Sequence, residues 1–108
     1  MPVAYRGRIS RTHPAMPGHF PGDPIVPGVV LLTETLRAME RAFARPVRVV
    51  EFAAVKFTAP LHPGEPFTIT LDPADEEQMA FTVTRGETPI ASGILRHTGA
   101  APKLTADG

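Results

Sequence analysis

The chain contains no cysteine, which removes disulfide bonds, thiolate nucleophiles and cysteine-ligated metals together. That absence is compatible with a reducing compartment. Charge of one sign is not in excess either: eleven Lys and Arg residues balance eleven Asp and Glu. The broad cationic surface needed to follow a phosphate backbone is therefore missing, and nucleic acid is not an expected partner. Long apolar runs are also lacking. The longest covers residues 29–32, against the roughly 20 apolar residues that cross a bilayer. The first residues show no apolar export segment, so the expected location is the cytoplasm, without membrane insertion. His13, His62 and His97 stand on separate stretches with no i, i+4 pair, so neither a metal nor another cofactor is expected.

The 108 residues suit one domain. Hydrophobic residues make up 43% of them, which argues for a globular chain and not a disordered one. Residues 1–98 are expected to form that domain, and residues 99–108, small and polar without period, a mobile tail. A domain of this size often hides further apolar surface in an oligomer.

Residues 3–10 alternate Val3, Tyr5, Gly7 and Ile9 against Ala4, Arg6, Arg8 and Ser10, the period of a half-buried strand. Between residues 12 and 27 the chain carries Pro14, Pro17, Pro21, Pro24 and Pro27 with Gly18 and Gly22, which forbids regular helix and predicts a stiff loop. Pro27-Gly28 then opens a helix to about residue 44, before Pro46, with Leu32, Leu36, Met39 and Phe43 on one face. The remainder reads as antiparallel sheet. Strands are predicted over residues 47–58, 67–71, 79–84 and 90–97, with turns over residues 60–66, the acidic residues 72–77 and Arg85-Gly86-Glu87. One strand, one helix and four strands is an α+β order in which a sheet wraps a single helix.

The stretch richest in chemistry is Gly18-His19-Phe20-Pro21-Gly22-Asp23-Pro24-Ile25-Val26-Pro27-Gly28-Val29-Val30-Leu31-Leu32. His19 exchanges protons near neutrality. The helix start at Gly28 offers unpartnered N–H groups and the positive end of the helix dipole, which stabilise a developing oxyanion, and the missing side chain lets a carbonyl approach closely. On residue types alone a plainer reading is available, in which His19 bonds a nearby loop carbonyl and Gly28 only permits a turn.

This segment resembles the signature of the β-hydroxyacyl-ACP dehydratase family, His-Phe-Pro-Gly-x-Pro followed by two apolar residues, Pro-Gly-Val and an apolar run. A second stretch, Val55-Lys56-Phe57-Thr58-Ala59-Pro60-Leu61-His62-Pro63-Gly64-Glu65, is similar to the family's downstream strand and Pro-Gly-Asp turn. The resemblance covers residues 4–98, without the N-terminal element of standard members, and is closest to a short dehydratase-like subgroup. It implies a hotdog fold, an antiparallel sheet of about five strands wrapped around one long central helix. It also implies a homodimer or higher homo-oligomer acting on acyl thioesters carried by acyl carrier protein or coenzyme A. In that scheme His19 removes the α-proton of a (3R)-hydroxyacyl thioester and the Gly28 amide polarises its carbonyl. Phe20, Pro27, Val29 and Phe57 are expected to contact the substrate.

The family's second acid, an Asp or Glu supplied by the other subunit, falls at Thr33. A hydroxyl cannot act as a carboxylic acid there, although it can hold a water or the substrate hydroxyl. Glu34 is the substitute candidate. It lies nearly opposite Leu32, Leu36 and Phe43 on the helical wheel, beside Arg37, Arg41 and Arg45, where an exposed ion pair is the plainer role. That Arg stripe is either a solvated helix face or a contact for a carrier's phosphate or acidic surface. Three activities follow: a dehydratase or hydratase using His19, Gly28 and Glu34 or a Thr33-held water; a thioesterase on the same fold; or an acyl-binding homologue without catalysis.

Overall fold

The computed structural model of the chain describes residues 2–13, 25–43 and 48–97. Their order is β1 (Val3–Arg8), α1 (Gly28–Phe43), β2 (Val49–Phe57), β3 (Pro66–Asp75), β4 (Gln78–Arg85) and β5 (Thr88–His97). The strands form one antiparallel sheet in the order β1-β3-β4-β5-β2. The two strands that flank the helix in sequence therefore lie at opposite edges of the sheet, and α1 crosses its face. Among the described residues no helix is long and apolar enough to cross a membrane.

Period two places one face of each strand against the helix. Phe67, Ile69 and Leu71 of β3, Met79, Phe81 and Val83 of β4, and Ile90, Ala91 and Leu95 of β5 are buried. The register aligns them in rows, with Ile69 opposite Val83, Leu71 opposite Phe81 and Met79 opposite Leu95. Each such side chain contributes about 1.5–3 kcal/mol relative to exposure, which fixes the register, because a one-residue slip would turn the whole row to solvent. The acidic residues 72–77 belong mostly to structure, not to a turn. β3 runs on to Asp75, Pro73 pairs with Met79, and only Glu76 and Glu77 turn the chain.

The helix spans 16 residues, an ordinary length for a globular domain and not the long element expected. Its buried face is Val30, Leu31, Thr35, Ala38, Met39 and Phe43. Leu32 and Leu36, expected at the centre of the apolar stripe, are only half-buried on its flank. Thr35 takes a central place because its hydroxyl donates to the Leu31 carbonyl at 2.8 Å, which satisfies a fully buried polar group without an outside partner.

The edge strand β2 carries the main irregularity. Phe52 faces Leu95 and Ala53 faces Ile94, but Lys56 faces Ser92 and Phe57 faces Ala91, so Ala54 and Val55 together stand opposite Gly93. This is a bulge, and it reverses the alternation of the strand beyond it. Phe52 packs edge-on against Phe81, with ring centroids 6.0 Å apart. Five residues later, Phe57 is brought to the same side of the sheet, where strict alternation would have placed Lys56. Ala54 adopts φ 52° to make the bulge, a left-handed conformation that costs a residue with Cβ about 1–2 kcal/mol. Gly93 is required by the same packing. A Cβ there would lie 2.9 Å from the buried Phe81 ring and 3.2 Å from the Ala53 carbonyl oxygen.

Two substitutions at the bulge are expected to move stability in opposite directions, measured by urea denaturation. Ala54→Gly should stabilise by about 0.5–1 kcal/mol through relief of the backbone. Gly93→Ala should destabilise by about 1–3 kcal/mol through overpacking.

Candidate functional site

The first turn of α1 opens onto a cleft of about 500 Å³. Its walls are Ile25, Val26, Pro27, Gly28 and Leu31 on one side and residues 57–61 on the other. Pro27 suits a helix start because its ring presets the backbone angle, and its carbonyl accepts the Val30 N–H at 3.0 Å. The N–H groups ahead of Val30 have no helical acceptor. The first turn contains no acidic residue, so the chain does not neutralise the positive helix end with a carboxylate of that turn. A nearly apolar cleft that ends on such N–H groups can hold an acyl chain and polarise its carbonyl.

Gly28 also has a packing role. A Cβ at this position would come within 2.7 Å of the Phe57 ring tip, so the ring lies directly against the helix start. Phe57 is still 51% exposed; it forms a wall of the cleft and is not part of the core.

The segment that follows Phe57 holds the helix start in place. Thr58 donates its N–H to the Ile90 carbonyl at 2.8 Å and its hydroxyl to the Pro89 carbonyl at 3.0 Å. Leu61, buried to 1%, accepts the Val26 N–H at 2.8 Å. The Gly64 N–H donates to the Ile9 carbonyl at 2.7 Å, which ties the turn to the end of β1. Glu65 closes the network. Its Oε1 accepts the His62 N–H at 2.7 Å, lies 3.2 Å from His62 Nδ1 and 3.3 Å from the Arg85 guanidinium, and Arg85 also donates to the Pro60 carbonyl at 2.7 Å. The His62 backbone N–H, then its ring and Arg85, hold the Glu65 carboxyl below its ordinary value of 4.5 against a smaller opposing effect of burial.

A second pocket, about 250 Å³, lies on the outer face of α1 and is lined by His13, Val29, Val30, Thr33, Glu34 and Arg37. At about 100° per residue, the Thr33 and Arg37 side faces roughly 170° away from the Gly28 and Leu31 side. The Thr33 hydroxyl donates back to the Val29 carbonyl at 2.9 Å. Glu34 accepts from Arg37 at 3.1 Å, so the ion pair read from the helical wheel is present.

The residues expected at the site are thus divided. Pro27, Gly28 and Phe57 line the cleft. Val29, 66% exposed, lines the outer pocket with Thr33 and Glu34. His19 and Phe20 lie outside the described residues. Met39 and Leu61 are core, and Leu61 also lines the cleft. Sequence reasoning missed the Glu65 network, for which the only available signal was the charged residue ending the second motif. Among the described residues no group of three or more His, Cys, Asp or Glu is placed to hold a metal ion.

Comparison with known proteins bears on this geometry. The profile of the ApeI-like family, described as ApeI dehydratase, matches residues 2–94. Among solved structures, the dehydratase heterocomplex ApeI:P from Xenorhabdus doucetiae superposes with a TM-score of 0.80 at 19% identity, covering 91% of this chain and 88% of that one. A 1,4-dihydroxy-2-naphthoyl-CoA thioesterase, Slr0204 from Synechocystis, gives 0.63 at 15% identity, covering 97% and 87%. A β-alanyl-CoA:ammonia lyase from Clostridium propionicum gives 0.66 at 11% identity, covering 94% and 86%. These similarities establish the hotdog architecture.

The lowered Glu65 carboxyl has a consequence for stability. A group whose pKa is lower folded than unfolded stabilises the fold above its unfolded value, and the effect is lost as pH falls through the folded one. Glu65→Gln is therefore expected to cost about 1 kcal/mol at neutral pH. Thermal melts of the two proteins should converge as the pH is taken below 4.5 through the lowered value.

Proposed function

The chain belongs to the ApeI-like dehydratase family, and from that premise we propose that it dehydrates (3R)-hydroxyacyl thioesters, or hydrates the corresponding enoyl thioesters, at a site shared by two copies. The observation that carries the reading is the cleft at the helix start, lined by Gly28 and by apolar walls fit for an acyl chain. In this mechanism the thioester carbonyl accepts from the Gly28 N–H and the α-proton becomes more acidic. His19, by the family resemblance, takes that proton. The departing hydroxyl is met by groups on the outer face of α1 from the second copy, because in one chain that face points away from the cleft. The Xenorhabdus relative forms a heterocomplex, an instance of assembly between chains on this fold. The acyl group arrives on acyl carrier protein or coenzyme A.

Thioester hydrolysis is the second reading, and the outer face supplies a reason for it. Thr33 has no carboxyl group and its hydroxyl is given to Val29, while the Glu34 carboxylate is paired with Arg37. A thioesterase needs the polarised carbonyl and a water but no acid for a leaving hydroxyl.

The test is the enoyl thioester absorbance when purified protein meets (2E)-enoyl substrates of several chain lengths. Turnover is expected, and His19→Ala is expected to reduce it by at least about a hundredfold. Release of free thiol with no change in enoyl absorbance would replace this reading with thioesterase activity. Binding without either change would leave an acyl-binding protein.

A further inference from the structure

We infer that Phe57 sets which acyl groups the cleft accepts, admitting those unbranched at the carbon next to the thioester carbonyl and excluding those that carry a substituent there. The inference rests on the reading above, in which the carbonyl is held at Gly28.

The backbone is strained to put the ring in place. β2 is bulged at Ala54 and Val55, and Ala54 takes φ 52° to make the bulge. Without the bulge, alternation would turn Lys56 to the helix side and Phe57 away from it. Such strain persists only where the surrounding structure imposes it, and it gathers at sites that bind or react. Core packing explains little of it here, because Phe57 is half-exposed. What the bulge delivers is an aromatic ring at the helix start. The strand end is then fixed: Thr58, next in the chain, is tied to β5 by its N–H on the Ile90 carbonyl and its hydroxyl on the Pro89 carbonyl.

The walls of the cleft differ in what constrains them. Val26, Leu31 and Leu61 belong to the buried core, so close packing over the sheet dictates their size. Phe57 lines the same cleft from outside that core, and its size is free to follow the ligand.

Distance decides which part of the ligand meets the ring. The ring tip comes within 2.7 Å of the point where a Cβ on Gly28 would stand. A carbonyl oxygen bonded to the Gly28 N–H, roughly 2.9 Å from the nitrogen, brings the carbonyl carbon and the atoms attached to it alongside that ring. On the acyl side the attached atom is the α-carbon. A methyl group on it competes with the ring for room already too small for a side chain on Gly28, whereas substituents further along the chain move away from the helix start.

The experiment compares the straight-chain and α-methyl forms of one acyl-pantetheine, with an amide in place of the thioester, by calorimetric titration, beside turnover of the corresponding enoyl thioesters. A single methylene misfitted to an apolar pocket changes discrimination by about 10–200-fold. The wild type is expected to favour the straight chain by about tenfold or more, Phe57→Ala to reduce that preference to below about threefold, and Phe57→Leu to fall between them. A merely structural role would weaken both ligands together and leave their ratio unchanged. An unchanged ratio in the folded variants, or no preference in the wild type, overturns the inference, as does equal loss of both ligands together with loss of assembly in size-exclusion chromatography. A preference that follows Phe57 in the titrations of a protein that turns over no enoyl thioester supports this inference and removes the dehydratase reading. If the wild type binds neither ligand, both fail together.

Discussion

The start of α1 is held from two directions. Val26 donates to Leu61 in the turn after β2, and the Phe57 ring at the end of β2 lies against the Cα of Gly28. Most of the functional geometry depends on that grip. The bulge at Ala54 and Val55 is what gives Phe57 to the helix side of the sheet. Glu65, His62 and Arg85 fold the turn so that Leu61 meets Val26. A strained residue, an ion-paired turn and a glycine without room for a Cβ therefore serve one outcome: a helix N-terminus exposed at the end of an apolar cleft, in a fixed direction.

A single helix then divides its surface among three tasks. The buried face closes the core over the sheet, the first residues line the cleft, and the outer face borders a pocket with Thr33, Glu34 and Arg37. Because the last two regions point apart, the chemistry we propose needs two chains. Half-buried Leu32 and Leu36 and the exposed Val29 leave apolar surface on the helix flank, consistent with an assembly that covers it.

Much of the fold was legible in the sequence, for specific reasons. Alternation in Val3, Tyr5 and Gly7 and the Pro and Gly residues around the helix are strong signals, and the strands and helix fall within a few residues of their expected ends. The extension of β3 through Asp72–Asp75 was hidden because those residues are exposed on both faces, so burial leaves no period there. The bulge of β2 at Ala54 and Val55 was visible only as a spacing of five between Phe52 and Phe57, which breaks period two without saying where. The helix's buried face was misplaced toward Leu32 and Leu36, because Thr35 and Ala38 gave no apolar signal even though the sheet covers them. Gly28, Pro27 and Phe57, expected from motif and resemblance, line the cleft.

The proposed chemistry depends most on the Gly28 N–H donating a hydrogen bond to the ligand carbonyl. The direct measurement is the backbone amide spectrum of ¹⁵N-labelled protein titrated with an acyl-pantetheine analogue in which an amide replaces the thioester. A downfield shift of the Gly28 amide proton at saturation, larger than that of any residue on the outer helix face, is the expected result. Saturable binding that leaves Gly28 unmoved and perturbs only Val29, Thr33 and Arg37 would contradict it and place the acyl site elsewhere.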